Sequence, residues 1–435
     1  MKKLLFVGVC VILALGARST QADECYPDPC ETVVCDPCGP NLFDGCGRNP
    51  SQWVIGGHLE GGLYANEYGY KNVYYSTGYK EYGNNSHLLN VADTGGQLNQ
   101  GYIFAQRTLN NRHGWDVGGK ISYMFGTDAR MVQSQGLETG AGHAYWGTGD
   151  YYSALPEMYV EVGRKDFSIK VGKFLSMLGH ESILSTERFF YSVSQTYGEL
   201  AKTHTGAVAN WNVNSKLNVF GGWVNGSDQF FDTGEDNAFL GGATYRFNDR
   251  LYVKYVAMAG TNTKAMEVAL PYWGYREWSS KREYFMQSFI VGVKPGKRWD
   301  YTFEWTLRNT KADYAKNPDG LGYDPTYFGW FYMGGYGINN ELIYRINRKW
   351  AVGLRAEWTH RYASDYLRGE LDKYFEYNDL YSFTLAANWT PCSWLTIRPE
   401  LRYDKFDGRD DYFNLIGTAF RNKQLSGGIS AMVKF

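Results

Sequence analysis

Over most of the chain, apolar and polar residues alternate with the period of two that is typical of β-strands. Residues 350–359 show this clearly, because every even position is apolar and the odd positions include Arg355 and Glu357. Residues 381–389 repeat the apolar row, and residues 395–404 repeat both rows, with charges of both signs on the polar one. The pattern predicts about sixteen strands, each with one apolar and one polar face.

The connections between these predicted strands alternate in length. Short connections rich in Asn, Gly and Asp suit tight hairpin turns. The long connections cover 65–99, 126–155, 174–202, 225–236, 260–283, 310–328, 362–379 and 405–423. A β-sandwich has no reason to place every long loop at one end. We therefore predict an all-β fold: an antiparallel transmembrane β-barrel of about 16 strands, with short periplasmic turns and long extracellular loops.

Aromatic residues on the apolar faces provide a length test. Trp350 and Trp358 share one face of a predicted strand, eight residues apart. At ~3.3 Å per residue and a tilt of ~45°, they differ in depth by ~19 Å, close to the spacing of the aromatic girdles of membrane barrels. Aromatic core residues of a soluble β-protein are the alternative explanation. The last predicted strand ends on Phe435, which we interpret as a membrane-insertion signal.

Composition narrows the class of protein. The chain has 435 residues, of which 17% are aromatic, a formal net charge of -1 and a mean hydropathy of -0.44. This charge balance gives no sign of nucleic-acid binding, which normally requires a basic surface. Low hydropathy with many tyrosines, tryptophans and glycines fits either a large secreted all-β protein or an outer-membrane barrel, whose polar lumen offsets its lipid-facing side chains.

The N-terminus divides the chain into three parts. Residues 1–22 have a charged start, an apolar centre and a small residue before the expected cleavage site, so we predict a signal peptide. Residues 23–51 form a segment rich in Cys and Pro that we expect in the periplasm. Residues 52–435 form the predicted outer-membrane β-barrel.

Six cysteines would remain after cleavage, and outside the cytoplasm such a set is most often disulfide-bonded. They are Cys25, Cys30, Cys35, Cys38, Cys46 and Cys392. A zinc site at Cys35 and Cys38 is the alternative, although no histidine lies within the cluster, and no metal is predicted. The pairing cannot be read from the sequence. Because its turn should lie at the periplasmic end of the barrel, we predict that Cys392 bonds to one N-terminal cysteine.

Several short motifs resemble one known family. They are Gly172-Lys-Phe174, Gly179-x-Glu181, Phe189-Phe-Tyr-Ser192 with Ser194, Thr203-His-Thr-Gly206 and the segment from Trp394 to Asp404. Together they resemble the putative β-barrel porin-2 family, which is OmpL-like, over roughly residues 52–435. The resemblance implies a barrel and a pore more firmly than it implies any particular solute.

The third long connection, residues 174–202, is dense in charged and aromatic residues. In sixteen-stranded general porins this loop folds inward and narrows the channel, and we expect the same here by analogy. The candidate constriction residues are Glu181, Glu187, Arg188 and Glu199 on the loop and Lys170, Arg355, Arg398 and Arg402 on the wall. Opposed charges there would create a transverse field that orients dipolar solutes. The same charges would equally serve as salt bridges that brace the loop.

These observations predict an outer-membrane porin for passive diffusion of small hydrophilic solutes and ions, in a Gram-negative-type bacterium. The alternative is a non-conducting barrel that is structural or binds a surface polymer. We predict no enzyme and no cofactor, because the scattered histidines specify no nucleophile–histidine–acid set. The expected partners are outer-membrane lipid, the barrel-assembly machinery and small hydrophilic solutes. No residue demands a homo-oligomer, although general porins are commonly trimers.

Overall fold

The computed structural model describes residues 53–67, 94–110, 114–140, 145–231, 236–270, 274–313, 330–366, 376–408 and 423–435. Eighteen strands form one antiparallel sheet, and sixteen of them build its wall. We number these wall strands β1 Trp53–Asn66, β2 Thr94–Arg107, β3 Trp115–Gly126, β4 Met158–Arg164, β5 Phe167–Leu175, β6 Thr203–Asn212, β7 Leu217–Val224, β8 Asn237–Asn248, β9 Leu251–Leu270, β10 Gly274–Val293, β11 Trp299–Asp313, β12 Trp330–Arg345, β13 Trp350–Tyr366, β14 Glu376–Cys392, β15 Leu395–Gly408 and β16 Lys423–Lys434. The other two, Gly147–Thr148 and Tyr151–Ala154, continue the pairing of β3 beyond the end of β4.

The sheet closes on itself. Every strand pairs with the next one along the chain, and β1 pairs with both β2 and β16. At the seam, the Gly57 amide donates to the Phe435 carbonyl at 2.9 Å, and the Phe435 amide donates to the Gly57 carbonyl at 3.0 Å. Closure leaves no unpaired edge, which is the condition for a sheet to span lipid. The predicted barrel of about sixteen strands is therefore confirmed.

The two faces of each strand have opposite character, as the alternation predicts. On β13, Leu354 is 47% exposed and points outward, whereas Arg355 and Glu357 point inward and are 0% and 4% exposed. Trp350 stacks on Trp389 of the neighbouring strand, with ring centroids 5.8 Å apart. The wall is thus apolar outside and polar inside, the reverse of a soluble β-protein.

The strands extend further than the sequence pattern indicated. Residues 260–283 were expected to be a loop, but β9 and β10 continue through them and pair as far as Leu270 and Gly274. Likewise β13 and β14 extend into residues 362–379. The predicted strand ends were wrong because they were placed where the alternation of apolar and polar residues stops. That alternation ends where the wall no longer contacts lipid. Backbone pairing needs no lipid and continues beyond that point.

Two rims result from the alternating connections. The short turns, such as residues 165–166 and 393–394, lie at one end, which we call the short-turn rim. The opposite end, the long-loop rim, carries the long connections. Among the described residues, no helix has the length and apolar character needed to cross a membrane.

Candidate functional site

The connection from Ser176 to Lys202, which we call the inner loop, lies inside the barrel. It leaves β5 after Leu175 and joins β6 at Thr203. Its residues bond to the inward-facing side chains of strands on opposite sides of the closed wall: Gly179 to β10, Tyr191 to β15 and Ser185 to β2. A segment with such contacts must cross the lumen.

Wall carboxylates hold the inner loop by its backbone amides. The His180 amide donates to Glu304 of β11 at 2.9 Å, and the Tyr191 amide donates to Glu400 of β15 at 2.9 Å. The Gln195 amide, at the start of the loop's single helical turn, donates to Glu357 of β13 at 2.5 Å. These three hydrogen bonds fix the loop at three points of the wall.

Wall arginines hold the same loop by its carbonyls. Arg355 donates to the Ser192 carbonyl at 2.9 Å and to the Val193 carbonyl at 3.2 Å. Arg402 also donates to the Val193 carbonyl, at 3.0 Å. Arg398 donates to the carbonyls of Ser185 and Arg188, at 3.0 and 3.1 Å. These three arginines are at most 1% exposed, so their charges meet protein groups rather than the channel.

Three of the candidate loop residues take part in ion pairs. Glu181 lies 3.0 Å from Arg355 of the wall. Arg188 is paired with Glu60 of β1 and with Asp128, at 3.3 and 3.5 Å. Glu199 is paired with wall arginines that were not among the candidates: Arg361 at 2.6 Å and Arg308 at 3.9 Å.

The remaining two wall arginines find acids outside the loop. Arg398 pairs with Glu60 of β1, and Arg402 pairs with Asp404 of its own strand at 3.0 Å. Glu60 of β1 accepts from Arg188 of the inner loop and from Arg398 of β15. This one buried carboxylate therefore links the loop to two wall strands.

Glu187 and Lys170 stand apart from these pairs. Glu187 is exposed, and it follows Ile183 and Leu184, which pack with Tyr102 of β2 and Met124 of β3. Lys170 lies over the ring of Tyr159 on β4, with its ammonium 4.3 Å from the ring centroid. The Glu161 carboxylate, opposite Lys170 in the strand register, accepts from Ser168 instead. These two charges therefore line the part of the lumen beside β2–β5.

Sequence reasoning missed several residues of the site. Glu304 and Glu357 were detectable, because strand parity alone directs them inward. Asp128 was not, because it belongs to the preceding long connection, where a short 3-10 helix places it against Arg188. In the same connection, Glu138 forms a buried pair with Lys173 at 2.7 Å. A second long connection therefore packs on the inner loop.

The apolar residues of the inner loop pack at both of its ends. Leu178 at the start and Leu200 near the end join one cluster with inward-facing residues of β5–β10, including Leu240 and Met258. These side chains are at most 5% exposed. This packing fills the side of the lumen next to β6–β10.

Local charges shift the pKa values of His180 and Glu199 in the loop. Burial disfavours the charged form of His180, but its hydrogen bond to Glu341 and the neighbouring carboxylates raise its pKa to about 9. Burial would likewise raise the pKa of Glu199, but Arg361 and Arg308 outweigh it and hold this pKa below its usual range. Both groups are therefore charged near neutral pH, His180 as a cation and Glu199 as an anion.

The barrel with its inward loop agrees with a comparison against known families. A family model described as putative beta-barrel porin-2, OmpL-like, matches residues 65–435. The chain belongs to this family. It is accordingly an outer-membrane β-barrel porin of the Gram-negative type, with transmembrane strands.

Solved structures show the same fold at low sequence identity. In-vitro folded OmpT, an outer membrane protein of Vibrio cholerae in its trimer form, is 14% identical, with a TM-score of 0.53 over 88% of this chain and 99% of that chain. An anion-selective porin from Comamonas acidovorans is 9% identical, with a TM-score of 0.52 over 88% and 99% of the two chains. A search of the curated proteins finds no match.

Some predictions concern residues outside those described. The signal peptide, the Cys-rich segment and the five N-terminal cysteines lie there. Cys392 is described: it ends β14 and pairs in register with Leu395, which in turn pairs with Val433 beside the seam. It thus lies at the short-turn rim, and its disulfide partner stays a prediction.

Proposed function

We propose that this porin is a passive-diffusion channel for small hydrophilic solutes and ions, narrowed by the inner loop. The observation that supports it is the clamp on that loop. Carboxylates of β11, β13 and β15 accept its amides while arginines of β13 and β15 donate to its carbonyls. A segment tied down in this way narrows the lumen without moving in and out of it.

The free passage would run along the part of the wall of β2–β5 that the packing of Ile183 and Leu184 against Tyr102 and Met124 leaves open. There Glu187 is exposed on the loop side, and Lys170 and Lys120 lie on the wall side. Lys120 is paired with Glu157 at 2.6 Å. Fixed charges in a narrow, low-dielectric passage act strongly on permeating ions. Glu187 and Lys170 would therefore supply the transverse field, while the buried pairs hold the loop.

One observation favours the alternative of a non-conducting barrel. Leu178 and Leu200 pack against the wall of β5–β10, and a second long connection packs on the loop from the other side. A lumen filled at both places would leave a barrel that serves a structural or surface-binding role.

Conductance of the purified full-length mature protein in planar lipid bilayers separates these functions. Stepwise, ion-conducting insertions are expected for the porin. A protein that inserts as a folded, heat-modifiable barrel but carries no current would support the alternative instead. Lipid and peptide hydrolysis assays on the same preparation test the absence of catalysis.

We also propose how the protein reaches and occupies the membrane. Residues 1–22 would direct secretion across the inner membrane, and the assembly machinery would insert residues 52–435 into outer-membrane lipid. The OmpT structure is of a trimer form, and we propose a homo-oligomer here too. Non-reducing mass mapping tests the tether between Cys392 and residues 23–51; a free Cys392 thiol would rule it out.

A further inference from the structure

Two arginines face the lumen side by side on the long-loop side of the inner loop. Arg308 of β11 and Arg361 of β13 are both in register with Gly335 of β12, so they stand on alternate strands at one level. Each lies four residues beyond a wall carboxylate that anchors the loop, Glu304 or Glu357. At ~3.3 Å per residue, this puts them ~13 Å along the strand towards the long-loop rim.

The strand between the two arginines leaves a gap. Gly335 faces inward and has no side chain, and a Cβ built there would lie 3.0 Å from the His360 carbonyl and 3.6 Å from Glu199 Oε2. Arg308 and Arg361 therefore border a recess whose floor is the backbone at Gly335 and the Glu199 carboxylate. Its opening is towards the lumen, because their side chains are 26% and 30% exposed.

The charges around this recess do not cancel. Glu199 is the one carboxylate within ion-pair distance of the two guanidinium groups in the described part of the chain, and its side chain is only 10% exposed. It engages Nε of Arg361 at 2.6 Å and Nη1 of Arg308 at 3.9 Å, while Nε of Arg308 donates to Thr310. Both terminal nitrogens of Arg361 and Nη2 of Arg308 have no partner among the described residues.

The nearby ammonium of Lys202 is directed at the inner loop and not at the recess. It is buried and donates to the carbonyls of Tyr197 and Leu200, so two of its three N–H donors are already used by the loop. The recess thus offers an excess positive charge and several outward N–H groups in the planar geometry that matches oxyanions.

We propose that Arg308, Arg361 and Gly335 form a binding site for the oxyanion group of a small solute, a carboxylate or a phosphate, at the outer side of the constriction. This inference rests on the proposed channel function and adds its substrate class. A solute entering from the long-loop rim meets this site before the passage beside Glu187 and Lys170. Weak capture there concentrates anions at the narrow section without trapping them.

The test compares three variants of the mature protein in planar bilayers, with inorganic phosphate and acetate as probes of the two oxyanion classes. Arg308→Gln removes one guanidinium, Gly335→Ala fills the recess without changing charge, and Arg250→Gln removes an exposed arginine in a short turn as the control. Each probe should reduce the KCl current of the wild type saturably. We expect Arg308→Gln to weaken the apparent affinity for the preferred probe by roughly tenfold.

Gly335→Ala should weaken it by a few-fold although the charge is unchanged, and Arg250→Gln should leave it unaltered. Equal block of all four proteins would overturn the site, as would a wild-type current insensitive to both probes. If the barrel is silent in bilayers, equilibrium binding of phosphate and acetate to the detergent-solubilised variants decides separately. If the affinities of the variants then follow the same order, the binding site is upheld although the channel function fails. If neither probe binds, the site and the channel function are both rejected.

Discussion

At the scale of single residues, the inner loop is held mainly by charged groups that bond to its backbone. Glu400 accepts from the amides of Tyr191 and Ser192 and from the Tyr64 hydroxyl. Arg355 reaches the loop's carbonyls and also the Glu181 carboxylate. Since backbone groups are present whatever the side chain, this mode of attachment leaves the loop sequence free to vary where it faces the passage.

Glu400→Gln should loosen the loop without unfolding the barrel. The amide keeps one acceptor oxygen but loses the ionised acceptor, and replacing charged hydrogen bonds by neutral ones costs about 1–2 kcal/mol. We expect a lower midpoint of thermal unfolding and noisier single-channel current. Glu187→Gln serves as the control for stability, because Glu187 is exposed, and it should melt as the wild type does. Identical melting of Glu400→Gln and wild type would contradict the anchoring role.

Glu187 is the loop acid whose reversal should change ion selectivity at constant stability. It is exposed, whereas Glu181 and Glu199 are engaged with arginines. We expect Glu187→Lys to shift the reversal potential in a KCl gradient towards anion selectivity, and Lys170→Glu to shift it towards cations. Both variants should fold as the wild type does. Unchanged selectivity in conducting, folded variants would show that the passage does not run between these residues.

At the scale of elements, the start of the inner loop should respond to alkaline pH. Its His180 imidazole lies 3.5 Å from Glu341, and the pKa of His180 is raised from 6.5 to about 9. A raised pKa stabilises the folded loop fully below pH 6.5, and this contribution is lost as the pH rises through 9. We therefore expect the wild-type loop to loosen between about pH 7 and 10, seen as growing current noise and faster proteolysis.

His180→Gln provides the matched comparison for this pH effect. The variant lacks the titrating group, so its noise and proteolysis should change less over the same range. Lys202, whose pKa burial lowers to about 8, contributes with the opposite sign, because a buried ammonium favours the folded loop less than the neutral amine does. Lys202 is present in both proteins and cancels in the comparison. Parallel pH profiles would show that His180 does not hold the loop.

The two long connections differ in how far the sequence predicted them. The inward path of residues 174–202 was predicted by analogy and by their density of charges. The path of residues 126–155 was not, because nothing in their sequence marks Asp128 as a partner of Arg188. Irregular segments have no side-chain period, so their contacts depend on tertiary packing that no local pattern encodes.

At the scale of the whole molecule, strand parity carried most of the correct prediction. It directed Arg355, Arg398 and Arg402 inward, where they are buried. It did not tell which acid each would meet: Arg398 meets Glu60, which is 338 positions away in the chain. When the barrel closes, β16 lies between β1 and β15. Ion pairs across the seam therefore depend on the number of strands and on their register, and the sequence of one strand alone does not predict them.

Phe435 takes part in barrel closure, and we predict that it also acts in membrane insertion; the two roles can be tested separately. The Phe435 backbone is bonded to Gly57, and its ring lies where a Cβ at Gly57 would come within 2.8 Å. In Phe435→Ala the backbone bonds remain, so we expect refolding in detergent to yield a barrel of nearly wild-type stability. If the aromatic terminus is read by the assembly machinery, the amount inserted into the outer membrane of living cells should fall several-fold.

Leu425→Ala is the matched variant, because Leu425 lies on the same strand, is 41% exposed to lipid and is remote from the terminus. It should lose a similar small amount of barrel stability but insert normally. Refolding in detergent and insertion in cells must therefore both be measured. If Phe435→Ala is impaired in detergent as well as in cells, the Phe435 ring stabilises the seam of the barrel. Normal insertion in cells would mean that Phe435 is not the signal.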